Sequence, residues 1–212
     1  MPSERTEVQV RPGTEADLWA LTDIYNHYVR ETAITFDTAA FLPEERRPWL
    51  LSHPVDGPHR LLVAQERDSG PSPGPSRPRP SPGLSSPGPS RPGLSSPGPS
   101  PGLILGYATS SPFRTKPAYA TSVEVSVYCA PDAAGRGIGT LLYKTLFEAL
   151  EGEDLHRAYA GIAQPNDASG RLHERFGFRH VGTYREVGRK FGRYWDVAWY
   201  ERPLGPQPPS GT

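Results

Sequence analysis

One stretch of this 212-residue chain concentrates residues that could do chemistry: Val123 to Gly139, VEVSVYCAPDAAGRGIG. Val123, Val125 and Val127 alternate with Glu124, Ser126 and Tyr128, the period of two that marks a strand. Glu124 is a carboxylate in an otherwise apolar run. When half-buried, such a group either pairs with a nearby base or has its pKa raised until it can accept a proton from a reacting group. Pro131 ends the strand, and the turn Gly135-Arg136-Gly137-Ile138-Gly139 follows. After it, Ile138, Leu141, Leu142, Thr145, Leu146 and Ala149 recur at helical spacing. A strand, a glycine turn and a helix start can bind an anion, because free N–H groups and the helix dipole point the same way. The same turn can instead serve only to let helix and strand pack closely. No Lys-Ser/Thr follows the last glycine, which speaks against a nucleotide P-loop, and no dinucleotide fingerprint is complete.

The elements around this stretch read as one mixed α/β domain. Val8–Arg11 is predicted as a strand, and Thr14, with Asp17 three residues on, starts a helix to about Arg30. A short strand is expected at Ile34–Asp37 and a helix at Leu42–Leu51, opened by Pro43 and two acids. Leu61–Gln65 and Leu103–Ser110 read as strands that pair as a hairpin. After the glycine-turn helix, which runs to about Leu150, come strand Arg157–Ile162, helix Ala168–Phe176, and strands His180–Val187 and Tyr194–Glu201.

A second motif lies in the last third, at residues 164–178: QPNDASGRLHERFGF. Together with the glycine turn, in this order, it resembles the acyl-CoA site of the GCN5-related N-acetyltransferases, through N-x-x-S-x-x-L-[Y/H]-x-x-x-G-F. Further stretches, IYNHYVRETAITF (24–36), FRTKPAY (113–119), VEVSVY (123–128) and GRYWDVAWYE (192–201), are similar to the phosphinothricin N-acetyltransferases within that family. The resemblance implies the acyl-CoA N-acyltransferase fold, a central, mostly antiparallel mixed sheet flanked by helices. It implies acetyl-CoA as co-substrate, held by Val127, Tyr128, Cys129, Gly135, Arg136, Gly137, Ile138, Gly139, Thr140, Asn166 and Ser169, and no metal. It places the general base at Glu124, and it makes His173 an acid, a second base or a substrate positioner. Phe36, Arg114, Lys116, Tyr119 and Tyr143 become the residues that meet a small amino acid. Arg114 and Lys116 then supply the fixed positive charge that a phosphinate and a carboxylate need. Two departures are visible. Ala134 stands where the family's turn opens with Gln or Arg, and a Pro-rich insert interrupts the chain. The same residues leave open another acceptor amine, such as a general amino acid, polyamine or peptide. They also leave open a non-catalytic CoA-binding regulator.

Composition bounds the rest. The formal charge is zero, which gives no argument for nucleic acid or an anionic membrane as partner. The one cysteine, Cys129, cannot close an intrachain disulfide, so a reducing, cytoplasmic setting is expected. No run is long and apolar enough to span a bilayer. Ser69–Gly102 holds 12 Pro, 10 Ser and 7 Gly in 34 residues, with PGLSSPGPS at Pro82–Ser90 and again at Pro92–Ser100. Such a segment cannot bury enough apolar surface to offset its ordering entropy, so disorder is expected there and in the tail 203–212. Residues 1–202 are then one domain. A homodimer is what the family resemblance implies.

Overall fold

A computed structural model describes residues 7–67 and 102–205. The chain runs β1 (Val8–Pro12), a 3-10 turn (Glu15–Asp17), α1 (Leu18–Glu31), α2 (Pro43–Leu51), β2 (Leu61–Glu66), β3 (Ile104–Pro112), β4 (Ser122–Cys129), α3 (Ile138–Ala149), β5 (Arg157–Ala163), α4 (Asp167–Arg175), β6 (Arg179–Lys190) and β7 (Arg193–Pro203). The strands form one sheet in the order β1-β2-β3-β4-β5-β7-β6. Every neighbouring pair is antiparallel except β4 and β5.

Strand alternation decides which residues cover which face. On one face Leu62, Ala64, Val123 and Val125 pack against Leu142 and Leu146 of α3. On the other, Leu61, Val63 and Tyr107 pack against Leu18 and Leu21 of α1 and Leu50 of α2. Glu124, Ser126 and Tyr128 alternate with the α3-facing valines, so they belong to the α1–α2 side.

The start of α1 shows how a local pattern becomes an anchor. Asp17 accepts hydrogen bonds from the Thr14 backbone at 2.8 Å and from both terminal nitrogens of Arg11 at 2.6 and 2.7 Å. Burial pushes its pKa up, but the Arg11 and Thr14 hydrogen bonds outweigh that and hold it below the ordinary value. The turn beginning at Thr14 is a single 3-10 turn before α1 proper.

The strand expected at Ile34–Asp37 is not formed. Residues 32–42 are a loop fastened by side chains instead of a neighbouring strand. Asn26 both donates to and accepts from the Phe41 backbone, Lys190 Nζ donates to Thr35 O at 2.7 Å, and Tyr25 Oη bonds the side chains of Thr35 and Asp37. A segment whose polar groups are met in this way needs no ladder.

β2 and β3 pair as the expected hairpin, with Glu66 N–H donating to Leu103 O at 2.9 Å. The Pro-rich segment, apart from Gly102, lies outside the described residues. The expected tail begins in ordered structure: Pro203 ends β7, and Leu204 is buried and donates its N–H to His156 O. Residues 206–212 lie outside the described part. Among the described residues no helix is long and apolar enough to cross a membrane.

Candidate active site

The sheet opens at Glu124. β4 and β5 pair in parallel only at Ser122 with Arg157, Val123 with Ala158 and Glu124 with Tyr159. Beyond that point Val125–Tyr128 and Gly161–Ala163 diverge and wall a narrow cleft of about 50 Å³, closed by Tyr143 and His173. Ile34, Val127, Asn166 and Ser169 line both this cleft and a larger cavity of about 460 Å³. The larger cavity runs past Cys129 to Ala134, Gly135, Gly137, Gly139 and Thr140. The two spaces together suit a long, thin ligand with a wide end.

The wide end is built from main chain. Gly135 and Gly137 adopt φ of +75° and +79°, a region that costs an L residue but not glycine. Gly137 is also the N-cap of α3 and has no side chain to cap it, and the N–H of Gly139 in the first turn faces the Cys129 thiol. A Cβ on Gly139 would stand 3.2 Å from Leu172, so this glycine lets α4 approach α3 closely. Arg136, inside the turn, is ion-paired to Glu66 at 2.6 Å. Asn166 caps α4, accepting from Ser169 N–H at 3.2 Å, while its residue still faces both cavities.

His173 lines the narrow end, and Glu124 lies just outside it, at the last paired position of β4 and β5, lining neither cavity. The Glu124 side chain is 40% exposed and lies 3.9 Å from the Arg114 guanidinium. Burial raises its pKa, and Arg114 pulls it part of the way back. His173 is 3% exposed. Its Nδ1 lies 2.8 Å from Ser169 O, which can only accept, so Nδ1 carries the proton. Nε2 then accepts from the Tyr143 hydroxyl at 2.8 Å. Burial lowers the pKa of His173, with the Ser169 carbonyl opposing, and both ring nitrogens are engaged in the neutral form.

Other expected residues are placed differently. Arg114 stacks on Phe113 at 4.1 Å and near Trp199 at 5.5 Å, beside Glu124. Lys116 and Tyr119 are exposed in the β3–β4 connection and line neither cavity. Phe36 packs on Gly188 of β6, where an added Cβ would meet its ring at 2.2 Å. Tyr143, expected to meet substrate, is fully buried and reaches the cleft beside His173. The sequence reading missed Arg171 and Arg175, which also line the wide cavity, Arg175 donating to Thr140 at 3.1 Å. Their spacing of four on a predicted helix was the available signal, since it puts both on one face.

Residues 95–178 match the Acetyltransferase (GNAT) family. A phosphinothricin N-acetyltransferase of Streptomyces coelicolor is 67% identical, over 93% of this chain and 97% of its own. An L-methionine sulfoximine/L-methionine sulfone acetyltransferase of Salmonella typhimurium is 28% identical, over 92% of this chain and 94% of its own. Among solved structures, a GNAT superfamily phosphinothricin acetyltransferase of Sinorhizobium meliloti in complex with acetyl-CoA superposes with a TM-score of 0.73 at 26% identity, covering 96% of this chain and 94% of that one. With the opened sheet and the glycine cradle, these likenesses show that the chain belongs to the GNAT family, as an acetyl-CoA-dependent N-acetyltransferase akin to the phosphinothricin enzymes.

Proposed function

We propose that the protein transfers the acetyl group of acetyl-CoA to the α-amino group of a small amino acid of the phosphinothricin or methionine sulfone type. The observation that carries this reading is the opening of β4 from β5 at Glu124, directly joined to the cavity over the glycine turn. The CoA phosphates would rest on the first N–H groups of α3, and the pantetheine arm would run past Asn166 into the cleft. The thioester carbonyl then lies between the diverging strands, next to Glu124.

An α-ammonium is no nucleophile, so a proton must leave before attack. Glu124, with its pKa raised by burial, accepts that proton directly or through one water. The amine nitrogen bonds to the carbonyl carbon, the carbon–sulfur bond breaks, and the second proton of the amine passes to the departing sulfur, so that the amide and free CoA thiol are formed. Holding both substrates in the one cleft removes the entropic cost of bringing them together. His173 has no free nitrogen to serve as a base in the arrangement seen, and its role is to fix the Tyr143 hydroxyl at the cleft wall. Arg114 offers a cation for the α-carboxylate. The homodimer implied by the resemblance is part of this proposal, with the exposed side chains of Tyr184, Val187, Phe191 and Tyr194 on the β6–β7 hairpin as its face.

The test is acetyl-CoA-dependent thiol release over phosphinothricin, methionine sulfone, methionine sulfoximine, ordinary amino acids and polyamines. Turnover concentrated on the first three is expected. Equal or greater rates on polyamines would refute the substrate class.

A further inference from the structure

A second space lies on the Glu124 side of the sheet, between β3, β4, α1 and α2, and the transfer chemistry above makes no use of it. It measures about 280 Å³ and shares Ser126 and Tyr128 with the wall of the reaction cleft. Ser126 is two residues along β4 from Glu124, about 7 Å.

Two groups in its lining have unmet hydrogen-bonding capacity. Arg46 is 6% exposed, and its guanidinium is stacked 4.3 Å from the centre of the Tyr25 ring and 4.0 Å from that of Trp49. Its one well-formed hydrogen bond among the described residues runs from Nη1 to Leu21 O at 3.1 Å, no carboxylate pairs with it there, and its guanidinium also faces the Tyr107 hydroxyl. Tyr107 is 1% exposed; its Oη has no well-formed hydrogen-bond partner among the described residues, and Arg46, close enough to donate to it, leaves its O–H without an acceptor. A buried donor left unmet costs about 1–3 kcal/mol, and an unpaired buried charge more. A fold tolerates this at a site that a ligand completes.

The surroundings narrow the ligand. Asp37 and Glu45 also line the pocket, but each carboxylate already accepts a hydrogen bond, from Tyr25 Oη and Leu42 N–H respectively. One cation facing two acids disfavours a doubly charged head and admits a neutral dipole or a single negative charge. Two donors ask for two acceptor oxygens. Phe41, Trp49 and Tyr128 give the same pocket an apolar wall, which suits a methyl group. The volume fits a few heavy atoms and is too small for a peptide or a nucleotide.

We propose that this pocket is the subsite for the acceptor's side chain, where Arg46 and Tyr107 select a compact head with two acceptor oxygens, such as a sulfone or a singly charged phosphinate. The three carbons between the amine nitrogen and the sulfur of methionine sulfone span the step from Glu124 to Ser126. This rests on the reading of the protein as an amino-acid acetyltransferase and adds the residues that read the side chain.

Methionine sulfone and methionine share one skeleton and differ by the two oxygens at issue. In the full chain, Tyr107→Phe is expected to lower kcat/KM for the sulfone about 10-fold, and Arg46→Gln about 100-fold, with methionine unchanged in both. Tyr107→Phe keeps the ring that packs on Tyr128 and guards against a folding defect in the Arg46 variant. Equal losses on both amino acids, or no change in their ratio, overturn the proposal. If the wild-type protein acetylates neither, the acetyl-acceptor reading fails, and calorimetric titration with methionine sulfone alone still decides on the pocket. Weaker binding to Tyr107→Phe than to wild type supports it, and equal or absent binding overturns it.

Discussion

The two ends of the cleft are made of different material. The end proposed for the donor is chiefly main chain on its glycine-turn side: two glycines at positive φ, a helix start without a side-chain cap and a third glycine that lets two helices close. The end proposed for the acceptor is side chain: Glu124 from β4, Arg114 from the β3–β4 connection, and Arg46, Tyr107 and Tyr25 from three further elements. Main-chain recognition is indifferent to what the ligand carries elsewhere and suits a co-substrate that never varies. Side-chain recognition can be retuned one residue at a time and suits an acceptor that differs between relatives. Substitutions at the two ends should therefore separate cleanly into effects on the donor and effects on chemistry or the acceptor.

The largest effect is expected at the junction. Glu124→Gln keeps the shape and removes the proton acceptor, and kcat should fall about 10²–10⁴-fold with acetyl-CoA KM little changed. The pH dependence gives the sign. Because burial raises the pKa of Glu124, the wild-type rate should fall on acidification at a higher pH than an ordinary carboxylate would cause. That acidic limb should vanish in the variant. An unchanged kcat across the pH range would remove Glu124 from the role of base and blur the division between the ends.

A smaller effect is expected at the donor end. Gly137 has φ +79°, and a Cβ there would meet nothing within 4 Å, so Gly137→Ala tests backbone strain without a clash. The strain of about 1–2 kcal/mol should lower the melting temperature and re-aim the N–H groups at the start of α3. Acetyl-CoA KM should rise about 10-fold, with the KM for the acceptor unchanged. A rise in both would mean that the two ends are mechanically coupled.

This division also explains what could be read in advance. The donor end is contiguous in sequence, because a strand, a turn and a helix start must follow one another to aim their N–H groups. The run Val123–Gly139 and the stretch Asn166–Phe178 therefore carried the fold and the family, and they hold the cradle proposed for the cofactor. The acceptor end is assembled from distant residues. Nothing near Arg46 in the sequence shows that Tyr25 and Trp49 will sandwich it, or that Tyr107, 61 positions later, will face it with its hydroxyl. The residues 34–37 misled because Ile-Thr-Phe has strand propensity, while side chains of α1 and β6 held that backbone as a loop. Lys116 and Tyr119 sit in the loop that the resemblance marked, yet both are exposed and line neither cavity.

The smallest expected effect concerns the charged side chain of the glycine turn itself. Arg136 lies between the two positive-φ glycines and is held by Glu66 at 2.6 Å. Their side chains are 40% and 24% exposed, so the pair contributes at most about 1 kcal/mol to stability. Its consequence is for binding. Glu66 places a negative charge beside the site proposed for the CoA phosphates and occupies the cation that could meet them. Glu66→Gln removes the charge and frees Arg136 while leaving the end of β2 intact. Acetyl-CoA KM should then fall about 2–3-fold with kcat unchanged, and the gain should shrink at high salt as screening shortens the reach of Arg136. A rise in KM would have the opposite meaning: Glu66 would be holding Arg136 in the pose that meets the phosphates, and the donor end would depend on a side-chain pair as well as on its main chain.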